Sequence, residues 1–295
     1  MERIGFVGAG LMGEGMAANA LKAGHELSVL AHRKRAAVER LIAAGAREAE
    51  NPADLAASSD VIVFCLSNAD TVRSVIAELR AHLKPGQLII DTSTSDPTVT
   101  RRLAEELREG GIALADAPVT GAPSQAAAGE LSTLLGSAEA DRERAKAVVG
   151  SWSRIVEVFG DVGAGHAAKL INNFITQGTT ALLAEAYTRA RRAGISWEAL
   201  YAVQSTGAAR SGTFDKMVPA AVKGNFQASQ FSIENAAKDA RYYVQLSEAM
   251  DGHASALATA VHQAIARFET AGFGDDHTSR MLEPSVADSV DRVAE

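Results

Sequence analysis

Two side chains with complementary chemistry, Lys169 and Asn173, lie four residues apart in a stretch with helical periodicity. Residues with this spacing in an α-helix project from the same face, so the amine and the carboxamide would act side by side, with Asn172 one step away. A lysine beside an apolar run loses part of its hydration, and this favours the neutral amine. Such a lysine can protonate a carbonyl as hydride arrives, or remove a hydroxyl proton in reverse. The pair alone also fits an exposed helix lysine, so both interpretations stay open.

The glycine-rich segment Gly8-Ala9-Gly10-Leu11-Met12-Gly13 follows a short apolar run and opens a helical pattern. In this context, the spacing G-x-G-x-x-G is typical of dinucleotide binding. The first glycine permits a tight turn, the second lets the backbone approach the pyrophosphate, and the third allows close helix–strand packing. The helix N-terminus also attracts the anion. We therefore predict cofactor contacts at Gly8, Gly10, Leu11, Met12 and Gly13; the alternative is a glycine-rich structural turn.

The residues after the second predicted strand bear on the choice between NAD and NADP. In NAD-binding proteins an acidic residue ~20 positions beyond the glycines usually holds the ribose 2′-hydroxyl. Here no Asp or Glu lies between Glu26 and Glu39, and the strand is followed by the basic cluster His32-Arg33-Lys34-Arg35. We predict that His32 and Arg33 contact a 2′-phosphate, with Lys34 or Arg35 as alternates. NADP is thus the expected cofactor, with NAD possible, although the cluster also fits a solvated charge run.

The first half of the chain alternates short β-like runs with amphipathic runs, which indicates a Rossmann-type, doubly wound α/β domain. Apolar runs without alternation indicate strands that are buried on both faces, as in a parallel sheet. Strands are predicted at Ile4–Val7, Leu27–Leu30, Ala46–Ala49, Val61–Leu66, Leu88–Asp91, Ala113–Asp116, Thr133–Leu135 and Ile155–Val158. Helices are predicted at Leu11–Ala23, Arg35–Ala44, Thr71–His82, Pro97–Glu109 and Asp141–Val149.

The second half of the chain has almost no strand signal after Gly165. Residues 166–193 are predicted to form one long interdomain helix that Gly194 ends. Further helices are predicted at Trp197–Val203, Phe214–Lys223, Ile233–Met250, Ala254–Ala271 and Thr278–Glu283. We therefore predict an NADP-binding domain at residues 1–163 and an all-α substrate and dimerisation domain at residues 164–295.

Composition excludes several other classes of protein. The formal net charge of −7 argues against a nucleic-acid partner. No apolar stretch approaches a membrane span or a signal sequence, and one cysteine suits a reducing compartment, so we expect a cytoplasmic protein. Cys65, in an apolar run, is interpreted as a small buried hydrophobe. The histidines show no metal-ligand spacing, and no G-x-S-x-G motif supports serine hydrolase chemistry, so no metal is predicted.

Five ordered motifs resemble those of the β-hydroxyacid dehydrogenases, a family that includes 3-hydroxyisobutyrate dehydrogenase and the tartronate, succinic and glyoxylic semialdehyde reductases. The resemblance runs from residue 4 to about residue 280. The motifs are Gly8-Ala9-Gly10-Leu11-Met12-Gly13 with Met16-Ala17-Ala18-Asn19, Asp91-Thr92-Ser93-Thr94, Asp116-Ala117-Pro118-Val119-Thr120-Gly121, Gly165-His166-Ala167-Ala168-Lys169-Leu170-Ile171-Asn172-Asn173, and Phe231-Ser232-Ile233 with Lys238-Asp239.

The resemblance implies an NAD(P)-dependent interconversion of a small 3-hydroxy acid and its semialdehyde. It makes Lys169 the general acid/base and Asn173 its supporting residue. It assigns the loop Thr120, Gly121 and Ala122 to the substrate carboxylate, which a hydroxyl and two N–H groups can hold without a net charge. The remaining implied contacts are Phe231 and Asp239 for the substrate, and Leu66, Ser67, Asn68, Thr94 and Lys238 for the cofactor.

Two departures from the family pattern bear on this assignment. Thr120-Gly121-Ala122 stands where the family usually has Ser-Gly-Gly, and Ser67 replaces a common proline. Two alternatives remain: an imine reductase, which usually has an acid or tyrosine where Lys169 stands, and a non-catalytic NADP-binding module. Arg210 is a candidate for a distal acid group of the substrate, or a surface arginine. A homodimer or a dimer-based tetramer is expected, because few residues follow the long helix to cover it.

Overall fold

The structure is a computed structural model that describes residues 1–31 and 35–293 of the chain. The chain divides into two compact units, one from Met1 to Lys169 and one from Leu170 onward. The division falls inside a long helix, whereas the predicted domain boundary at residue 163 lies just before that helix begins.

In the described part of the first unit, nine strands form one sheet. The strands are β1 Arg3–Val7, β2 Glu26–Leu30, β3 Arg47–Ala49, β4 Val61–Phe64, β5 Leu88–Asp91, β6 Ala113–Asp116, β7 Val119–Thr120, β8 Leu131–Gly136 and β9 Ser153–Gly160. The order is β3-β2-β1-β4-β5-β6-β8-β7, with β9 paired to β8. The six strands from β3 to β6 are parallel, and β8 runs antiparallel to β6 and β7. The order reverses between β1 and β4, so a ligand crevice is expected at the carboxyl ends of these strands.

Besides a 3₁₀ turn at Arg80–His82, seven α-helices occur in the described residues between 3 and 160: α1 Gly13–Lys22, α2 Arg35–Ala43, α3 Pro52–Ala57, α4 Ala69–Leu79, α5 Pro97–Arg108, α6 Pro123–Ala128 and α7 Glu139–Val149. Both faces of the sheet are covered, because successive side chains of a strand point to opposite faces and join two separate apolar cores. Val61 and Val63 of β4 join one apolar core, and Ile62 and Phe64 join another. A strand buried on both faces requires an unbroken apolar run, and β4 has one.

From residue 164 to residue 293, the regular secondary structure of the described residues is helical, with turns and loops between the helices and one isolated bridge between Ser232 and His277. The helices are α8 Ala164–Arg192, α9 Trp197–Gln204, α10 Gly212–Val222, α11 Ile233–Asp251, α12 Ala256–Phe268 and α13 Pro284–Val293. Four of them begin after a serine whose side chain accepts an N–H of the first turn: Ser196, Ser211, Ser232 and Ser255. This is the usual role of serine at a helix start. Tyr187, Phe214 and Ile265 lie at the centre of the apolar core of this unit.

The predicted fold class, a Rossmann-type α/β domain followed by an all-α domain, is confirmed. Several local predictions were incomplete: β7, α3 and α6 were missed because each is too short to show a clear period, and α13 was missed although its buried residues Val286, Ala287 and Val290 have helical spacing. The helix predicted at Ala254–Ala271 is shorter, because Ser255 caps its start and Gly272, with φ of 92°, ends regular structure after it. The helix predicted at Thr278–Glu283 is a 3₁₀ turn at Thr278–Leu282. Within the described residues, no helix combines the length and the apolar character that crossing a membrane requires.

Candidate active site

The three glycines of the loop between β1 and α1 differ in how much space a side chain would have. Gly8 has φ of 101°, and a Cβ there would lie 2.2 Å from the Cys65 carbonyl oxygen. A Cβ on Gly13 would lie 2.1 Å from the Gly8 carbonyl oxygen. A Cβ on Gly10 would meet no heavy atom within 4 Å. Gly8 and Gly13 are therefore required by the protein's own packing. At Gly10 the space beside the backbone is open, so a ligand phosphate can approach the backbone there.

The predicted cofactor and substrate loops of the first unit gather at one edge of its sheet. Strands β1, β4, β5 and β6 are neighbours and parallel, so the segments that follow them lie together. These segments hold the glycine loop, Leu66–Asn68, Thr94 and the Thr120 loop. Leu11 is exposed at the start of α1, and Met12 and Thr94 are half-buried. The first unit thus brings together its predicted site residues as far as it is described.

Asn68 and Ser93 shape two of these loops. The Asn68 side chain caps α4 by accepting the Thr71 N–H at 2.8 Å. The Ser93 hydroxyl accepts the Leu66 N–H at 2.9 Å, and the Ser93 N–H donates to Asp91 at 2.9 Å. The segment before Thr94 is therefore tied both to its own strand end and to the loop after β4.

The substrate loop has a partner that the sequence analysis missed. The N–H of Ala122 donates to Oε1 of Gln125 at 2.9 Å, which uses one of the two N–H groups expected to hold a carboxylate. Gly121 has φ of 139°, and a Cβ there would lie 2.7 Å from Leu131, so this position favours glycine. The Thr120 hydroxyl and the Gly121 N–H remain the candidate donors. A glutamine at the third helical position, reaching back to the residue before the helix, was the available signal.

Helix α6, which follows the substrate loop, is joined to α1 of the glycine loop. A Cβ on Gly15 would lie 2.7 Å from the backbone of Ala126 and Ala127, so the two helices touch at their backbones. Asn19 donates to the carbonyl oxygens of Ala126 at 2.8 Å and Ala127 at 3.2 Å. The glycine loop and the substrate loop therefore share one rigid support.

The start of α8, the helix that carries Lys169, is anchored to the end of β6. Asp116 is fully buried and accepts the N–H groups of Gly163 and His166, both at 2.6 Å. Burial raises the pKa of the Asp116 carboxyl, an effect opposed by His166 and by these two N–H donors. A carboxylate that accepts the unpaired N–H groups of a helix start stabilises that start. Lys169 is half-buried, three residues beyond His166.

In the second unit, Asn173, Asp239 and Lys238 form a connected group. Asn173 is buried and donates to Asp239 Oδ2 at 2.7 Å, while Asn172 donates to Asn173 Oδ1 at 3.2 Å. The Lys238 ammonium lies 3.2 Å from Asp239 Oδ1 and 5.8 Å from the Tyr242 ring centre. Asp239 therefore fixes the orientation of the Asn173 carboxamide. These contacts do not test the predicted roles of Asn173, Asp239 and Lys238, but they show that the three residues lie side by side.

Two other candidates, Phe231 and Arg210, and the single cysteine have different surroundings. Phe231 is partly buried against the helical core, as a core aromatic would be. Arg210 is exposed, and its guanidinium binds Asp215 at 2.9 Å on the same segment. Cys65 is partly exposed rather than fully buried, yet desolvation around its thiol raises its pKa to about 11. Neither Phe231 nor Arg210 is adjacent in sequence to the groups described above.

Two further predictions concern cofactor specificity and metals. His32, Arg33 and Lys34 lie outside the described residues. Arg35, the alternate, binds Glu48 at 3.0 Å. Across residues 1–31 and 35–293, no group of three or more His, Cys, Asp or Glu side chains is placed to hold a metal ion.

Comparison with known protein families covers nearly the whole chain. Residues 3–160 match the family model of the NAD binding domain of 6-phosphogluconate dehydrogenase. Residues 163–285 match the family model for NAD-binding of NADP-dependent 3-hydroxyisobutyrate dehydrogenase. The two matches meet close to the start of α8.

Individual relatives agree with these matches. The 2-(hydroxymethyl)glutarate dehydrogenase of Eubacterium barkeri is 34% identical, over 80% of this chain and 79% of that protein. The 3-sulfolactaldehyde reductase of Escherichia coli is 31% identical, over 96% and 95%. The solved structure of Mycobacterium tuberculosis 3-hydroxyisobutyrate dehydrogenase with L-serine has a TM-score of 0.85 and 27% identity, and covers 96% of this chain and 98% of that one. Imine reductases share the fold at lower similarity.

Proposed function

The chain belongs to the β-hydroxyacid dehydrogenase family, and we propose that it is an NADP-preferring reductase of small aldehyde acids in which Lys169 supplies the proton. NAD(P)-dependent hydride transfer between a 3-hydroxy acid and its semialdehyde is the activity of the family. The observation that carries the assignment of Lys169 is its place near the start of α8, which Asp116 anchors to the end of β6. A lysine held at the carboxyl edge of the sheet can meet a substrate bound there.

The residues of the first unit fit a dinucleotide. The open space at Gly10 and the N-terminus of α1 suit a pyrophosphate, and the half-buried Thr94 suits the nicotinamide side. The bound dinucleotide supplies the hydride. Leu66, Ser67, Asn68 and Lys238 are the further cofactor contacts of this proposal.

The chain's own side chains divide the remaining work. The Thr120 hydroxyl and the Gly121 N–H bind the substrate carboxylate. Lys169 holds the proton that the carbonyl oxygen takes as hydride arrives, and removes the hydroxyl proton in the reverse direction. Asn173, oriented by Asp239 at 2.7 Å, binds the same substrate oxygen. Phe231 and Asp239 are the further substrate contacts of this proposal.

The test of this proposal is the oxidation of NADPH and NADH against a panel of carbonyl compounds. The panel contains succinic semialdehyde, glyoxylate, tartronate semialdehyde, methylmalonate semialdehyde and a cyclic imine. We expect turnover of at least one aldehyde acid. In Lys169→Ala we expect kcat to fall by about 10²-fold or more, on the order expected for loss of a general acid. Lys169→Arg keeps the positive charge but cannot give up its proton, so the same loss is expected.

Lys22→Ala, at an exposed position in the last turn of α1, is the matched control and should retain the wild-type kcat. Full activity of Lys169→Ala would remove the lysine from the mechanism. Reduction of the imine alone would favour an imine reductase, and tight NADPH binding with no turnover would favour a non-catalytic module.

The preference for NADP rests on the basic cluster His32-Arg33-Lys34 and on the absence of an acidic residue between Glu26 and Glu39. Arg33→Ala should raise KM for NADPH by about tenfold, the scale of a lost charge-assisted contact to phosphate, and leave KM for NADH nearly unchanged. Equal changes for both cofactors would contradict a contact with the 2′-phosphate.

A homodimer or dimer-based tetramer is supported by apolar side chains along α8. Ile171, Ile175 and Leu182 are 47%, 64% and 71% exposed. Their spacing places them along one side of the helix. Sedimentation of a monomer alone at micromolar concentration would refute the assembly. The single cysteine is consistent with a cytoplasmic location.

A further inference from the structure

His166 is a fully buried histidine that the proposed reaction does not use. Its backbone N–H donates to Asp116, as described above. Its ring nitrogens face two different elements: Nε2 lies 3.0 Å from the Ser93 carbonyl oxygen, and Nδ1 lies 2.9 Å from the Thr100 hydroxyl in α5. Because a backbone carbonyl can only accept, Nε2 donates its hydrogen to Ser93. One residue therefore joins α8 to the segment that leads to Thr94.

The surroundings of His166 leave little freedom for this arrangement to shift. A Cβ on Gly165 would lie 2.3 Å from the Leu134 carbonyl oxygen, and a Cβ on Gly136 would lie 2.6 Å from Asp116. The first turn of α8 is thus pressed against β8 at its backbone. Two buried carboxylates face the ring, with Asp91 Oδ2 3.8 Å from Nε2 and Asp116 Oδ2 3.9 Å from Nδ1.

The two segments that His166 joins are those that matter for the reaction. Lys169 follows it within one turn of α8, and Thr94 follows Ser93 directly. Hydride and proton must reach the two ends of one carbonyl group, so the acid and the nicotinamide contact must be held at a set separation. Errors on the order of 1 Å in such a separation can cost about 10²-fold in rate.

We propose that His166 is a positioning residue, whose Nε2–H bond to the Ser93 carbonyl sets the separation between Lys169 and Thr94 while Asp116 clamps the turn that bears Lys169. The inference rests on the proposed function, since it takes Lys169 as the proton donor and Thr94 as a nicotinamide contact. The positioning bond is a single hydrogen bond in a buried setting, where it cannot be replaced by water.

Two substitutions of equal charge separate this role from simple core filling. In His166→Gln the side-chain amide reaches the place of Nε2 and can donate to Ser93. In His166→Asn the shorter amide reaches the place of Nδ1, facing Thr100, and cannot reach Ser93. We expect His166→Gln to keep kcat within about fivefold of wild type, and His166→Asn to lose about 10- to 100-fold, the range attributed above to misplacement.

The measurements are kcat with the aldehyde acid that the wild type reduces best, the primary deuterium isotope effect with 4-deuterated NADPH, and the dissociation constant of NADPH. For His166→Asn we expect the isotope effect to rise, because hydride transfer limits the rate, and the NADPH dissociation constant to change less than threefold. A merely structural residue would lower the melting temperature of both variants without separating their kcat values. Equal kcat values for His166→Gln and His166→Asn would overturn the proposal.

Asp116→Asn provides a second test if His166→Asn does not fold. The amide can accept only one of the two N–H groups of Gly163 and His166, so the turn before Lys169 loosens and kcat should fall about tenfold. Asn51→Ala is the matched control: Asn51 caps α3 by accepting the Asp54 N–H at 2.9 Å, in the same unit. It should lower the melting temperature and leave kcat unchanged. An unchanged kcat in Asp116→Asn would contradict the role of Asp116 in holding the turn that bears Lys169.

Wild type and Lys169→Ala are measured alongside these variants. Turnover by the wild type that collapses in Lys169→Ala shows that the proposed function holds, so the His166 and Asp116 variants then test positioning alone. A wild type with no turnover of any aldehyde acid would defeat the proposed function itself. For that case the wild-type protein, labelled with ¹⁵N-histidine, still tests the bond: the Nε2–H of His166 should exchange slowly with solvent, and fast exchange would overturn the proposal.

Discussion

The glycine loop of the first unit and the Asn173–Asp239–Lys238 group of the second are built in opposite ways. The loop has its shape from backbone contacts, with Gly8 and Gly13 too close to carbonyl oxygens to carry a Cβ. The helical group has its shape from side-chain contacts of 2.7 Å and 3.2 Å. A site built from backbone cannot accept one added methyl group, whereas a site built from side chains depends on which atoms donate and accept.

This difference suits the two predicted tasks. A pyrophosphate is an extended anion that many N–H groups can share, so the loop needs close approach rather than a particular side chain. A reacting carbonyl oxygen is one atom, so the residues that meet it must present one donor in one orientation. The two regions should therefore respond differently to substitutions of the same size.

The largest effect is expected from Gly13→Ala. The added Cβ would lie 2.1 Å from the Gly8 carbonyl oxygen, and neither group can rotate away because both are backbone. We expect the free energy of unfolding to fall by about 1–3 kcal/mol or more, as for overpacking, and NADPH binding to weaken beyond detection. Thermal unfolding and fluorescence titration with NADPH measure the two effects.

Gly10→Ala is the matched variant, with the same added methyl group and no heavy atom of the protein within 4 Å of it. Its melting temperature should equal that of the wild type or rise slightly, since alanine restricts the unfolded chain. Its dissociation constant for NADPH should rise at least tenfold, because the methyl group enters the space predicted for the pyrophosphate. Wild-type affinity in Gly10→Ala would show that the pyrophosphate does not approach this residue.

The next effect in size is expected from Asp239→Asn, which keeps the shape of the side chain. An amide has only one oxygen, which can meet either Asn173 or the Lys238 ammonium. In either orientation one of the two contacts is lost. We expect kcat to fall about tenfold, equivalent to about 1.4 kcal/mol, a typical net value for one hydrogen bond of this kind. Steady-state kinetics with NADPH and the best aldehyde acid measure the change.

Asp251→Asn controls for the loss of a carboxylate from the same helix, because Asp251 is the exposed last residue of α11. It should leave kcat and the melting temperature unchanged. If Asp239→Asn behaves like Asp251→Asn, the orientation of Asn173 has no part in the reaction, and the side-chain contacts of the helical group do not determine activity.

The elements that pattern reasoning located are those with long apolar runs or clear periods. The strand at Leu88–Asp91 was predicted with the bounds that the structure has, because an apolar run ending at an acidic residue is unambiguous. Helix α3 was missed although Asn51 and Pro52 are a recognisable start, because six residues cannot show a helical period. A helix of this length could therefore be recognised only from its cap.

The candidate site was predictable as a set of motifs but not as a set of contacts. Asp116 and His166 were both quoted within motifs, yet their bonds to Gly163 and Ser93 join residues 47 and 73 positions apart. Pairings at such separation depend on how the strands are ordered in the sheet, and local pattern does not contain that order. Gln125 was missed for a different reason: its bond to Ala122 is local, but the residue before the helix is alanine rather than the Ser or Thr that usually marks a capping box.

The smallest effect is expected at the substrate loop, whose shape depends both on the backbone at Gly121 and on the side chain of Gln125. Gln125→Ala frees the Ala122 N–H, which then becomes a third donor for the substrate carboxylate, so KM for the aldehyde acid should fall about two- to fivefold with kcat unchanged. Gln125→Glu keeps the acceptor but adds a negative charge beside that carboxylate, so KM should rise by a similar factor, more strongly at low salt. KM values that shift in opposite directions in the two variants would show that the substrate carboxylate binds beside the Ala122 N–H. If both variants have the wild-type KM, the carboxylate lies elsewhere, and the Thr120 hydroxyl and Gly121 N–H lose their assigned role.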